Sequence, residues 1–429
     1  MRILVDQSGY DLQNIGDVAM LQSCVIRLRQ QWPDAEIMVI AHNPDRLDLL
    51  CHNVVPVGPS FANRPFLRHI PRKSRLASEQ IWKSAAPYLS GRVGRARRPL
   101  AGSCTPIQAV QRADVVVASG GGYVTDTWWW HGTGVLSLLS LAQRLGKPTA
   151  MFGQGIGPIR QRALRMQARE VLPKLAVIGL RESRIGLDLA LSLGVAPSAV
   201  TITGDDALEL FGEAKISSGK ALGVNLRISR YAGVDLAAAA TVGDLMLEAA
   251  SAFRAPIMAL PVSRYAKDQD LGAIRETLHW AANRTNITLC DLETPHELAA
   301  AAADCRTIIT GSYHAAVFGL GQGVPAVCIS RSSYYDAKFG GLNALFPGAC
   351  FTVSLDRPDF AGDLRSAIHR AWHLPDPARA DARAIAARLN SAGRDAYAQF
   401  RHAVERTALP TATEDIPHDL GGQRDVRSG

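Results

Sequence analysis

The sequence has no apolar run approaching the ~20 residues that span a bilayer; Gly, Ser, Asp or Arg interrupts every long stretch. A transmembrane helix is not expected. Also missing is a secretory opening, which needs a basic start, an apolar core of roughly 7 to 15 residues and a small-residue cleavage site. Residues 1–6, MRILVD, read directly as a strand, so the expected location is the cytoplasm. The seven cysteines contain no Cys-x-x-Cys pair. An odd set at such spacing suits reduced thiols packed as small core residues, not a disulfide framework or a thiolate metal site. There is neither a P-loop with Gly-Lys-Ser/Thr nor a Gly-x-Gly-x-x-Gly fingerprint with its following acid, which disfavours ATP and dinucleotide sites. No cofactor and no metal are expected.

What is present is a globular composition, 47% apolar and 20% charged over 429 residues. That length exceeds one ordinary core and favours two domains with a cleft between them. The net charge of +8 is concentrated: residues 64–98 hold eight Arg and two Lys against the single Glu79. The remainder is about neutral. With Phe66, Trp82 and Tyr88 inside it, this segment suits peripheral contact with an anionic membrane, an acidic glycan or a lipid-linked diphosphate; a solvated insertion loop explains it equally well. No recognition motif accompanies the charge, so nucleic acid is not an expected partner.

Along the chain, strands and helices alternate, the pattern of parallel sheets covered on both faces. Strands are expected at 3–5, 36–40, 114–118, 149–153, 177–181 and 200–203. Helices are expected through 19–28 and near 135–144. The polar stretch 211–220 reads as the crossing to a second α/β set, with strands at 221–226, 256–260, 287–290, 307–310 and 326–329. The Ala-rich runs 237–240 and 299–303 read as helix faces. This gives a first domain at 1–211 with a basic insertion at 60–105, a second at 220–375, a helix at 376–409 and a disordered tail at 410–429.

Ligands of such sheets gather where strands end and helices begin. Three turns qualify. In Asn14-Ile15-Gly16-Asp17, Gly16 lets backbone approach a ligand and Asp17 can cap the helix. Gly120-Gly121-Gly122 offers consecutive N–H groups to an oxyanion or sugar. Downstream, Trp128-Trp129-Trp130-His131 offers flat faces to a sugar ring, although clustered Trp is more often core or interface. At Gly311-Ser312-Tyr313-His314 a strand runs into a helix; Ser312 or a neighbour caps it and His314 lies in its first turn, where dipole and free N–H groups invite an anion. His314 can bind that anion or move a proton.

Taken in order, Asn14-x-Gly16-Asp17, Gly120-Gly121-Gly122, Gln154-Gly155-Ile156-Gly157-Pro158, Arg181-Glu182-Ser183, Gly204-Asp205-Asp206-Ala207, Gly311 to His314 and Gly323-Val324-Pro325 resemble the polysaccharide pyruvyl transferase family over most of residues 1–345. The resemblance implies two Rossmann-like domains facing across a cleft, as in GT-B glycosyltransferases. It also implies pyruvyl transfer from phosphoenolpyruvate to sugar hydroxyls of a cell-surface or lipid-linked glycan. It makes His314 and Asp17 the catalytic candidates, and Arg181, Gly311, Ser312, Tyr313, Arg227 and Lys338 the donor-binding ones. Asn14, Gly16, Gly120, Gly121, Gly122, Gln154 and Gly155 are assigned to acceptor or phosphate. One departure stands out: Ser312 occupies a position where the family commonly has Arg, and Arg227, Arg264, Arg331 or Lys338 are the available replacements. Asp205 and Asp206 are further candidate bases. The competing readings are a nucleotide-sugar glycosyltransferase and a non-catalytic sugar or phosphate binder.

Overall fold

The computed structural model describes residues 1–58, 104–211, 219–227, 236–266, 269–278 and 286–408. The basic segment 64–98, the crossing at 212–218 and the tail 410–429 lie outside the described residues.

Short, fully apolar runs such as Ile3-Leu4-Val5 and Val115-Val116-Val117 can hide both faces only in the middle of a covered parallel sheet. All six are buried. The first sheet contains β1 (Arg2–Asp6), β2 (Glu36–Ile40), β3 (Val55–Val57), β4 (Val115–Ala118), β5 (Gly121–Val124), β6 (Thr149–Ile156), β7 (Val177–Leu180) and β8 (Val200–Ile202). Its order is β3-β2-β1-β4-β6-β7-β8, with β5 paired to β6. The second sheet contains β9 (Ala221–Asn225), β10 (Ile257–Ala259), β11 (Ile287–Thr288), β12 (Cys305–Thr310), β13 (Ala326–Ser330) and β14 (Cys350–Ser354), in the order β11-β10-β9-β12-β13-β14. The strand order turns back on itself between β1 and β4, and again between β9 and β12. Those two points are where open parallel sheets leave a crevice at their carboxyl ends.

Three strands escaped the sequence reading: the short β3 beside β2, and two more. The first is β5, where Gly121-Gly122 reads as an exposed loop; pairing with β6, Gly121 opposite Gln154 and Val124 opposite Ile156, imposes the extended form. The glycines there do not present a row of N–H groups to solvent. A Cβ on Gly121 would strike the Tyr123 ring at 2.2 Å, and one on Gly120 would strike Met20 Sδ at 2.6 Å. The second is β14, an edge strand beside β13. The tryptophan-bearing helix also starts earlier than expected, at Trp129.

The C-terminal helix, Asp376–Ala408, ties the two halves together. Ala382, Ala386 and Leu389 pack into the second-domain core. Further along, Ala396, Tyr397 and Phe400 pack into the core of the first. Tyr397 stacks on Phe152 at 3.7 Å between ring centroids. Beneath it Arg27, 1% exposed, pairs with Asp206 at 2.7 Å and Glu209 at 2.9 Å. Burial raises the Asp206 carboxyl to about 6, against the pull of Arg27.

Tyr397→Ala is expected to destabilise the chain by roughly 3–5 kcal/mol, as truncation of a large buried aromatic does. Tyr397→Phe, which loses the 3.3 Å bond to Asp206 and the hydrogen bond with Cys24, is expected to cost about 1 kcal/mol. Urea unfolding of both variants checks the ranking.

Candidate functional site

The turns read from the sequence meet across the domain boundary, Gly16 against His314 and Gly122 against Lys338. On the first-domain side Asn14 is the cap of the helix Ile15–Gln31, its Oδ1 accepting from Gly16 N–H and Asp17 N–H at 3.0 and 3.2 Å. Capping therefore falls to Asn14. Asp17 sits inside the first turn, at the side of His314 and Lys338, whose charges it biases.

Arg181 follows β7 directly and is 2% exposed; its Nη1 donates to Asp205 Oδ2 at 3.0 Å. Such a pair survives burial only where space and partners are prepared. Gly155 and Gly122 provide the space: a Cβ on either would lie 2.8 or 2.5 Å from the guanidinium. Glu182 is turned away from the pair, its carboxylate accepting from Arg184, Ile185 and Gly186 N–H. The second domain lays Tyr313 over Arg181, Cζ 4.8 Å from the ring centroid. It approaches closely because the helix Ser333–Leu345 carries Gly340 and Gly341, which face Arg184 and Glu182. Trp128 Nε1 donates to Tyr334 Oη at 3.0 Å across the same boundary, so Trp128 serves the domain contact.

The Gly311-to-His314 turn starts the helix Tyr313–Leu320, with Ser312 at the cap position but its hydroxyl making no cap bond. His314 is 9% exposed, and its Nε2 has no hydrogen-bond partner. Asp205 Oδ2 is the nearest acid, 3.8 Å away. Gly16 packs against the imidazole so tightly that a Cβ would lie 2.0 Å from Cγ. Burial, with Arg181 and Lys338 adding to it, pushes the His314 pKa down to about 4 against Asp205 and Asp17. At neutral pH the ring is uncharged.

Lys338 stands opposite, Nζ 4.3 Å from the Tyr334 ring and 5.7 Å from that of Tyr313. Burial first, then Arg181, drives its pKa well below the usual lysine value. Gly122, Thr125, Gly155, Arg181, Tyr313 and Lys338 are among the walls of a cleft between the two domains.

The other named residues are placed differently. Arg227 makes a bidentate pair with Asp270, Nε to Oδ1 and Nη2 to Oδ2 both at 2.8 Å. Arg264 is paired with Asp291 and Glu293, and Arg331 with Asp356. Lys338 is thus the one of the four candidate replacements that lines the cleft. Gln154 is fully buried in the sheet, its Nε2 2.6 Å from Ser119 O and 2.8 Å from Tyr123 Oη. Gly311 supports the turn through a bond from its N–H to Asn225 O at 3.0 Å. Asp206 is spent on Arg27. Sequence reasoning gave no role to Tyr334 or Thr125. Neither falls in a glycine-marked turn, the signal that exposed Gly16 and His314, nor in a motif of the family resemblance, which supplied Arg181.

Two facing parallel sheets, a helix start and a cationic cleft at their switch points define a GT-B-type fold, and solved structures bear this out. A Listeria monocytogenes protein assigned as a UDP-N-acetylglucosamine 2-epimerase aligns with TM-score 0.59 at 11% identity, over 96% of this chain and 98% of that one. Arabidopsis thaliana UGT89C1, solved with quercetin, aligns with TM-score 0.55 at 11% identity, over 95% and 99%. The UDP-GlcNAc 2-epimerase of Neisseria meningitidis, bound to UDP-GlcNAc, gives 0.53 at 11%, over 95% and 99%. No curated protein sequence matches the chain. The profile of the polysaccharide pyruvyl transferases matches residues 14–333, and the chain belongs to that family.

Two measurements probe this geometry. Gly16→Ala forces the imidazole to move, so ligand binding and turnover should fall at least tenfold, about 1.4 kcal/mol, with the far-ultraviolet spectrum unchanged. For His314 the folded pKa lies below that of the unfolded chain, so its contribution to stability is present above about pH 6.5 and is lost as the pH falls toward about 4. From pH 7 to pH 5 the unsubstituted chain should lose about 2 kcal/mol more than His314→Asn, read from paired urea titrations.

Proposed function

We propose that this chain transfers a pyruvyl group from phosphoenolpyruvate to two hydroxyls of a saccharide, forming a ketal on a cell-surface glycan or its lipid-linked precursor. The observation that carries this is the His314 Nε2 without a hydrogen-bond partner, 3.8 Å from Asp205 and in the field of Arg181 and Lys338, next to the cleft-lining Tyr313 in a member of the pyruvyl transferase family. A donor bearing phosphate and carboxylate meets cations there. Its negative charge offsets Arg181 and Lys338 and draws His314 and Lys338 back toward their charged forms.

In the proposed sequence, protonated His314 gives its proton to the methylene carbon, which becomes the methyl group, while C2 becomes electron-poor. An acceptor hydroxyl attacks C2 and its proton passes to Asp17. The C2–O bond to phosphate then breaks, phosphate leaving with the electron pair and taking the Asp17 proton. A second hydroxyl closes the ketal, returning a proton to His314. Arg181 and Lys338 stabilise the departing phosphate. Lys338 takes the place of the arginine common at the position of Ser312. No helix among the described residues is long and apolar enough to cross a membrane, and the proposed site of action is the cytoplasmic face, where glycan precursors are assembled.

The test is phosphate release from phosphoenolpyruvate with a panel of glycan acceptors. Release should depend on acceptor, and His314→Ala should lower kcat by roughly 10²–10⁴-fold. Lys338→Met should instead act mainly on the KM for the donor. A thermal shift with UDP-GlcNAc and none with phosphoenolpyruvate would assign the cleft to a nucleotide sugar and overturn the proposal.

A further inference from the structure

Asp270 lies outside the cleft and outside every motif, yet no carboxylate among the described residues is shown with more hydrogen bonds. It opens the helix Asp270–Leu278 and is completely buried. Oδ1 accepts from Arg227 Nε at 2.8 Å. Oδ2 accepts from Arg227 Nη2 at 2.8 Å and from Asn225 Nδ2, Val262 N–H and Ser263 N–H at 2.9 Å each. Five donors converge on the group, four of them on Oδ2. A carboxylate so held is rigid, and so are the segments that hold it.

Two branches leave it. The first runs to the second-domain turn. Asn225, fixed by Asp270, accepts Gly311 N–H on its carbonyl at 3.0 Å and the Thr310 hydroxyl on its Oδ1 at 3.4 Å. Thr310 Oγ1 in turn accepts Ser312 N–H at 2.8 Å. The branch ends where His314 begins its helix. The second crosses the domain boundary. Val262 O accepts Ile15 N–H at 2.9 Å, Gln13 O accepts Arg264 N–H at 2.7 Å, and Asn14 and Ser263 form an antiparallel bridge. This two-stranded grip holds the segment that continues into Gly16 and Asp17. Gly16 is the residue that touches the imidazole.

The geometry points to Asp270 as the positioning residue of the site: one buried carboxylate fixes both the turn that carries Asp17 and the turn that carries His314, and so sets the distance between domains in the closed cleft. Arg227 balances its charge and braces it, rather than reaching ligand. Asp270 touches neither substrate nor reacting atoms and works through Asn225 and residues 262–264. Misplacement of this order is felt in turnover more than in donor binding.

Amide hydrogen exchange on the full chain tests the coupling without reference to any reaction. In Asp270→Asn, amides of 13–18 and of 310–316 should both exchange roughly tenfold faster or more, while 149–180 in the first sheet stay unchanged. Arg227→Lys, which keeps the charge but loses the fork, should show the same pattern to a smaller degree, and it carries the test alone if the first variant does not fold. Faster exchange confined to second-domain segments, with 13–18 unaffected, would overturn the proposal. The activity arm rests on the transferase reading: kcat should fall roughly tenfold with donor KM within about threefold, and the reverse split would also overturn it. Absence of transfer in the unsubstituted chain would count against the transferase reading and leave the exchange result to decide this one.

Discussion

The buried pair between Arg181 and Asp205 is the constraint around which the cleft is arranged. A guanidinium and a carboxylate taken out of water lose hydration worth several kcal/mol each, and only close geometry and further partners recover it. Gly122 and Gly155 clear the room, and Tyr313 of the opposite domain covers the exposed face of the cation. Because Asp205, Gly122 and Gly155 belong to the first domain and Tyr313 to the second, charge placement and domain closure are one problem. Asp205 is consumed by Arg181, and Glu182 by three backbone N–H groups. Of the acids close to the cations, Asp205 and Glu182 are therefore already engaged, which leaves Asp17 to act on Lys338 and His314.

That balance explains why a neutral histidine and a depressed lysine stand side by side. Neither proton affinity is a property of the side chain alone; burial sets both, and each cation raises the cost of charging its neighbour. A ligand bearing compensating charge completes such a site electrostatically. The GT-B neighbours share the frame at 11% identity, so the frame does not by itself dictate chemistry, which resides in the few side chains that the turns present.

Much of this was legible because the relevant signals are local. A glycine-marked turn between an apolar strand and a helix can be seen within about ten residues, and such turns located Gly16 and His314, whereas Arg181 entered through the family resemblance. The two parallel sheets follow from uninterrupted apolar runs for the same reason. What stayed hidden depends on residues distant in sequence. β5 looks like a loop until β6 pairs with it. The role of Arg227 depends on Asp270, 43 residues away. Lys338 was one of four equivalent cations until packing supplied acidic partners to the others. Asp17 read as a cap because Asp is a good cap; Asn14, three residues earlier, already satisfies those N–H groups.

The C-terminal helix has a consequence for how the chain comes into being. Tyr397 and Phe400 complete a core whose other members, Ile3, Val5 and Leu21 among them, are made first. At synthesis rates of roughly 5–20 residues per second, the first sheet waits roughly 10 to 40 seconds for its closing side chains. During that interval Phe152 and the Arg27–Asp206 pair lie uncovered on a nearly finished domain. The first domain is thus sealed only when the second has been made, and a nascent chain halted between them carries an open apolar face that chaperones would recognise.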